Sequence, residues 1–305
     1  MHSQTTHHKQ VLQRGGRLSV AALSVALSLA FMPTSNAGAI KTIEAGKLHI
    51  AMNGDMPMTQ LKDGTLSGTD GELMIYVAKK LGLDPVIHQM DWAAEIEATK
   101  QGKVDIMHGA MGWIEPRTKI MNLTDPIYYF GTLLAQKADT NYHTFADMKG
   151  KKVATVTGFT LVPELKSVEG IGEVKLYDTS DGVLQDLVAG RIDMAILDPP
   201  LVQWAIVQHP EWKIKQVPLD PMAVKYPVMS NKYSVIFGVN KDEKDLADAI
   251  SKVIAEDVWA NCLNVKTMAK YGMGDKAWFI PPEKNPRVGV DRPADYRAPI
   301  ADKCF

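Results

Sequence analysis

The 305-residue chain is short of cysteine, of one-signed charge and of long apolar runs, and each shortage excludes something. Its two cysteines, Cys262 and Cys304, both fall late, and no Ser-His-Asp or Cys-His arrangement is visible. Lys and Arg number 34 against 35 Asp and Glu, so no basic face is available for the phosphates of a nucleic acid. No acidic residue precedes Glu44, while Lys9, Arg14 and Arg17 lead into an apolar run over residues 18–31 that stops at Pro33. That run is too short to span a bilayer comfortably. A basic start, a short apolar centre and a small-residue exit predict a secretory signal peptide over residues 1–37, cleaved after Ala37 or Ala39. The two glycines between the arginines rule out a twin-arginine pair. Cleavage takes three of the 34 basic side chains and none of the 35 acidic ones, leaving a net charge of −4. The expectation is a periplasmic, soluble protein. In an exported chain an even cysteine count favours a Cys262–Cys304 disulfide. It would tie the Pro-rich tail, residues 281–305, back to a body that the tail itself has too little apolar periodicity to extend.

What is present is an alternation of strand and helix patterns. AAEIEATKQ ends at Gly102 and is followed by KVDIM; DGVLQDLVAG is followed by RIDMAIL. The shared pattern is Gly-(Lys/Arg)-(Val/Ile)-Asp-(Ile/Met), in which glycine ends a helix and an apolar run returns as a buried strand. Two such units predict two similar α/β lobes. LHIAM (48–52), KVATV (152–156) and YSVIFGV (233–239) read as further strands. GELMIYVAKKLGL reads as an amphipathic helix closed by Gly82, and EKDLADAISKVIAEDVW as a second, longer one.

Ligands of open α/β sheets collect beyond the carboxyl ends of strands. There KVDIM leads into His108, Gly109, Ala110, Met111 and Gly112, with Arg117 five residues on. IDMAIL leads to Asp198 before two prolines, and KVATV to Thr157, Gly158, Phe159 and Thr160, where a helix start would offer free N–H groups. One guanidinium, one carboxylate and a set of amides match a zwitterion. Taken singly, Arg117 could be a solvated charge or a partner of Glu115, and Asp198 an ordinary turn residue. Their common placement at strand exits favours a site.

In order of segments the chain resembles the periplasmic solute-binding proteins of polar amino-acid ABC importers, family 3. The first signature is similar to residues 53–61 followed by Gly68-Thr69-Asp70. The second is similar to Asp91-Trp92, Gly102-Lys103-Val104-Asp105, residues 109–117 and Thr124-Asp125-Pro126-Ile127-Tyr128; the third resembles Gly190-Arg191-Ile192-Asp193, ending at Asp198. The resemblance covers roughly residues 46 to 272. It implies a two-lobe type II fold, with residues 40–135 and 232–280 in lobe 1, residues 136–231 in lobe 2, and crossing segments near residues 135–137 and 231–233. It implies that Arg117 takes an α-carboxylate, Asp198 an α-amino group and Trp92 the ligand side chain, with amides of Gly109, Ala110, Gly112, Gly158, Phe159 and Thr160 completing the grip. It implies no cofactor, a small zwitterionic or carboxylate ligand, an inner-membrane permease as partner, and a monomer. Asn53 stands where the family has an acid beside the pocket, Met56 replaces an aromatic, and Gly109, Ala110 and Gly112 replace hydroxyl residues. The missing acid argues against a strongly basic ligand.

Other classes stay open at this level. The scaffold also serves periplasmic dehydratases of cyclic acids, for which His108 could be offered as acid or base. Met52, Met56, Met58, His88, Met107, His108 and Met111 could suit copper, and an accessory role to a dehydrogenase would use the tail for contacts.

Overall fold

A computed structural model describes residues 40–305; the expected signal peptide and both expected cleavage points lie outside the described residues. Two five-stranded sheets organise the chain. In the first the order is Asp84–Gln89, Lys47–Met52, Ile106–Met107, Gly238–Asn240, Met121–Leu123. In the second it is Glu173–Tyr177, Lys152–Val156, Met194–Ala195, Leu133–Lys137, Ile214–Pro218. Both follow one plan: three parallel strands, then a fourth strand running antiparallel to its neighbours on both sides. Helices return the chain between the parallel strands, so the inner ones, Lys47–Met52 with Ile106–Met107 and Lys152–Val156 with Met194–Ala195, are largely buried, while the outer strands Asp84–Gln89 and Glu173–Tyr177 are only partly covered. The expected pair of α/β lobes is what folds.

Local sequence accounts for the elements. Asp91 caps helix Trp92–Lys100 by accepting from the Ala94 amide at 2.9 Å, and Thr179 caps Ser180–Val188 through Gly182. Gly102 and Gly190, at φ of 67° and 72°, end those two helices in the left-handed region. Each repeated aspartate then locks its strand to the next one. The Asp105 amide donates to the His49 carbonyl at 2.9 Å, and the His49 amide donates back to the Asp105 carboxylate at 2.6 Å. Asp193 and Lys152 form the same reciprocal pair at 2.9 and 2.8 Å.

Three expectations are corrected. YSVIFGV is two strands. Tyr233–Val235 pairs antiparallel with Tyr128–Phe130, and the chain then changes partners to enter the first sheet as Gly238–Asn240. The long helix after residue 242 is an α-helix, Lys244–Val253, that widens into a π-turn, Ile254–Trp259. There Trp259 Nε1 reaches the Pro126 carbonyl at 2.6 Å. Finally, Leu133–Lys137 belongs wholly to the second sheet, so the chain leaves lobe 1 at Gly131 and Thr132, before the expected 135–137.

The tail is held against lobe 1. Cys262 and Cys304 form a disulfide. Arg287, with no exposed surface, donates to the carbonyls of Thr124 (2.8 Å) and Leu123 (3.3 Å) and pairs with Asp291 at 2.7 Å. Arg292 pairs with Asp125 at 2.9 Å, and the Tyr129 hydroxyl donates to the Pro299 carbonyl.

Candidate functional site

The site is built where the ends of the two sheets face each other. In lobe 1 the strand Ile106–Met107 gives way to a loop whose shape is fixed by a buried acid. The Asp70 carboxylate accepts from the Ala110 amide at 2.8 Å, the Tyr128 hydroxyl at 2.9 Å and the Thr69 hydroxyl at 2.9 Å. Burial raises its pKa to about 6, against the pull of those three donors. Past this loop, Pro116 starts the short helix Glu115–Thr118 and places Arg117 facing inward, 5% exposed. Arg117 Nη1 donates to the Gly112 carbonyl at 2.6 Å, and Nη2 crosses to lobe 2 to reach the Gly158 carbonyl at 3.0 Å. Its guanidinium lies over the Trp92 ring, 5.5 Å from the centroid. Burial lowers its pKa to about 10, with Asp198 and Tyr233 pulling upward, so it stays a cation at neutral pH.

In lobe 2 the exit of Met194–Ala195 carries Asp198 to the N-cap of helix Pro199–Gln208, with no side-chain cap bond drawing it away from the cleft. Surrounding protein raises its pKa well above the usual carboxylate range, Asp55 and Asp70 push the same way, and Arg117 opposes them. Trp92, the first residue of its helix, donates Nε1 to the Gly158 carbonyl at 3.3 Å and meets Phe159 edge-on at 6.1 Å. A further contact closes the lobes: the Ser180 hydroxyl donates to the Asp55 carboxylate at 2.6 Å.

Trp92, Ala110, Gly112, Arg117, Phe159, Thr160 and Asp198 line one cavity between the lobes. The rest of the expected set behaves differently. Asn53 is occupied by the Asp55 carboxylate and the Thr59 hydroxyl, at 3.0 and 3.1 Å, and does not line the cavity. Met56 faces a separate cavity of about 420 Å³ toward Trp204 and Trp212. Gly109 packs behind the wall, its Cα face against Asn53 and Trp92. Gly158 takes part through its carbonyl rather than its amide. Among the expected amide donors, that of Ala110 is taken by Asp70 and that of Phe159 by the Val156 carbonyl at 3.2 Å.

Some wall residues were not foreseen. Thr132, on the first crossing segment, and Tyr233, just after the second, line the cavity, as does Phe130. The only cue in the sequence for the first two was their nearness to the chain crossings. Asp70 was visible as part of a motif, but its hold on Ala110 was not. His108 is fully buried against Phe237, edge-on at 5.7 Å, and does not line the cavity. Burial alone brings its pKa down to about 3. Met52, Met58, Met107 and Met111 are likewise core side chains of lobe 1, each at most 1% exposed.

Two like lobes that place a buried cation and a carboxylate on one cavity define a clamp-type binding protein. The chain belongs to the bacterial extracellular solute-binding proteins, family 3, whose sequence profile matches residues 48–258. It is similar to the L-cystine-binding protein TcyJ of Escherichia coli (strain K12), 26% identical over 251 residues, covering 80% of this chain and 90% of that protein. It is also similar to the histidine-binding periplasmic protein of Salmonella typhimurium, 27% identical over 247 residues, covering 77% and 90%. Among solved structures, an ancestral arginine-binding protein bound to glutamine superposes with a TM-score of 0.67 at 26% identity, covering 76% of this chain and all of that one. These relationships favour solute binding over the dehydratase, metal-handling and dehydrogenase-accessory readings.

Proposed function

We propose that this chain is the periplasmic substrate-binding component of an ABC importer and that it takes a small amino acid or related carboxylate, without catalysing a reaction on it. The observation that carries the reading is the pairing of Arg117 from lobe 1 with Asp198 from lobe 2 on one cavity. A zwitterion satisfies both charges at once and so draws the lobes together. Arg117 holds the α-carboxylate, Asp198 the α-ammonium, and Trp92 with Phe159 the side chain. Water-sized free space in the cavity is about 20 Å³, room for about one water, so an amino acid enters only when the lobes part. Opening needs Arg117 and Trp92 to release Gly158, and Ser180 to release Asp55.

The relatives named above bind cystine and histidine, and the ancestral protein holds glutamine, so amino acids lead the set of candidates. In this reading the protein acts as a monomer after its signal peptide is removed, and it delivers the ligand to an inner-membrane permease. The test is calorimetry against the twenty standard L-amino acids and L-cystine. Arg117→Ala should lose affinity by a factor of roughly 10 to 100 for every one that binds the wild-type protein, since a charge-assisted contact is worth about 1.5–3 kcal/mol. Undiminished affinity in that variant would sink the assignment.

A further inference from the structure

The cavity holds two buried hydroxyls whose hydrogen-bonding capacity the protein does not fill. Tyr233 Oη and Thr132 Oγ1 are both sealed from solvent and, among the described residues, neither makes a well-formed hydrogen bond, although the Tyr233 hydroxyl lies near those of Thr132 and Thr160. A buried polar atom without a partner is costly, by about 1–3 kcal/mol, and native proteins keep few of them. Here both line the same cavity as Arg117, Thr132 from the first segment on which the chain crosses between the lobes and Tyr233 from the strand just after the second. The Tyr233 ring lies against Gly112, where an added Cβ would come within 3.1 Å of it; the carbonyl of this glycine also accepts from Arg117.

The geometry points to Tyr233 and Thr132 as hydroxyl donors to the ligand carboxylate beside Arg117. The inference rests on the binding role proposed above and adds two positioning residues to it. Three observations support it. The Ala110 and Phe159 amides are already engaged within the protein and are not free to serve instead. Burial keeps the Tyr233 phenol protonated, so it is an O–H donor. On one side the Tyr233 ring packs against Phe130, the two rings meeting at 5.8 Å, and on the other its hydroxyl lies near those of Thr132 and Thr160, which leaves its proton free to turn toward a stronger, anionic acceptor. Because the donors sit on or directly beside the crossing segments, a ligand held by them is tied to the hinge as well as to both lobes.

The experiment uses Tyr233→Phe and Thr132→Val, each close in shape to the residue it replaces, with the twenty standard L-amino acids and L-cystine as calorimetric probes. For every probe that binds wild type, Tyr233→Phe should weaken binding about tenfold or more, by a similar factor whatever the side chain, because the α-carboxylate is common to all. Thr132→Val should do the same to a smaller degree. The unliganded melting temperature of either variant should stay level or rise, since each removes an unpaired buried group. Full affinity in both variants overturns the inference and leaves the Arg117 reading standing. A loss confined to probes with polar side chains assigns the hydroxyls elsewhere and also overturns it. A fall in the unliganded melting temperature of both variants shows that the hydroxyls have a structural role and does the same. If no probe binds wild type, both readings fail together.

Discussion

The two lobes are built on one plan and braced in opposite ways. In lobe 1 the repeated aspartate, Asp105, is fully buried, accepts from the amides of Ile43 and His49 at 2.7 and 2.6 Å, and sits against Glu243. In lobe 2 its counterpart, Asp193, among the described residues accepts only from the Lys152 amide at 2.8 Å and keeps a water-facing ion pair with Lys151 at 3.6 Å. Lobe 1 also carries the disulfide and the Arg287 anchor, both contributed by the tail. The difference teaches that the shared motif specifies topology, while stability is set by what each lobe packs around it. Lobe 1 owns the arginine that must be held in a low-dielectric wall, and it is the lobe with the added restraints.

Breaking the tail anchor should have the largest effect on that asymmetry. Arg287→Ala takes the side-chain donor from the Thr124 carbonyl and one donor each from Asp291 and the Leu123 carbonyl, which keep Trp113 and Arg292, and it empties the space of a fully buried side chain. The expected loss is about 3–5 kcal/mol of stability, read from urea unfolding. A loss below about 1 kcal/mol would mean that the tail rests on lobe 1 without stabilising it. The paired aspartates sharpen the comparison next. Asp105→Ala strands two amides and should cost about 1–3 kcal/mol, whereas Asp193→Ala strands one near water and should cost less than about 1 kcal/mol. Equal losses in urea unfolding would erase the proposed difference between the lobes.

The smallest effect is a pH slope. Burial, followed by the neighbouring Asp105, raises the Glu243 carboxyl from an ordinary 4.5 to about 8, with Lys41 pulling it down and Asp242 pushing it further up. The native state therefore holds this proton more tightly than the unfolded chain does. Its contribution to stability is complete below about pH 4.5 and declines as pH rises toward about 8. Glu243→Gln should flatten that part of the profile, measured as unfolding midpoint against pH. An unchanged slope would show that the proton is not held there.

Much of this was legible in the sequence because it depends on local chemistry. Gly102 and Gly190 end helices, and the repeated Gly-(Lys/Arg)-(Val/Ile)-Asp run marks the return to a central strand. Arg117 and Asp198 were visible from their places after such strands. What was hidden depends on contacts distant in sequence. Asn53 is drawn off by Asp55 and Thr59, and Met56 turns toward Trp204, so neither reaches the cavity that its place in the motif suggested. The split of residues 233–240 into two strands follows from a change of pairing partner, which leaves no mark in an unbroken apolar run. Arg287 looked like one charge in a polar tail, because its carbonyl partners lie more than 160 residues away.

The antiparallel ribbon of Tyr128–Phe130 and Tyr233–Val235 has a consequence for how the protein melts. The chain passes between the lobes beside this ribbon, at Gly131 with Thr132 and again at Asn231 with Lys232, and one lobe is strapped while the other is not. Heat should therefore loosen lobe 2 first and lobe 1 later, and a ligand gripped by both would act as a removable cross-link that merges the two steps into one. In a calorimetric scan the narrowing of the transition would then report binding as directly as its displacement.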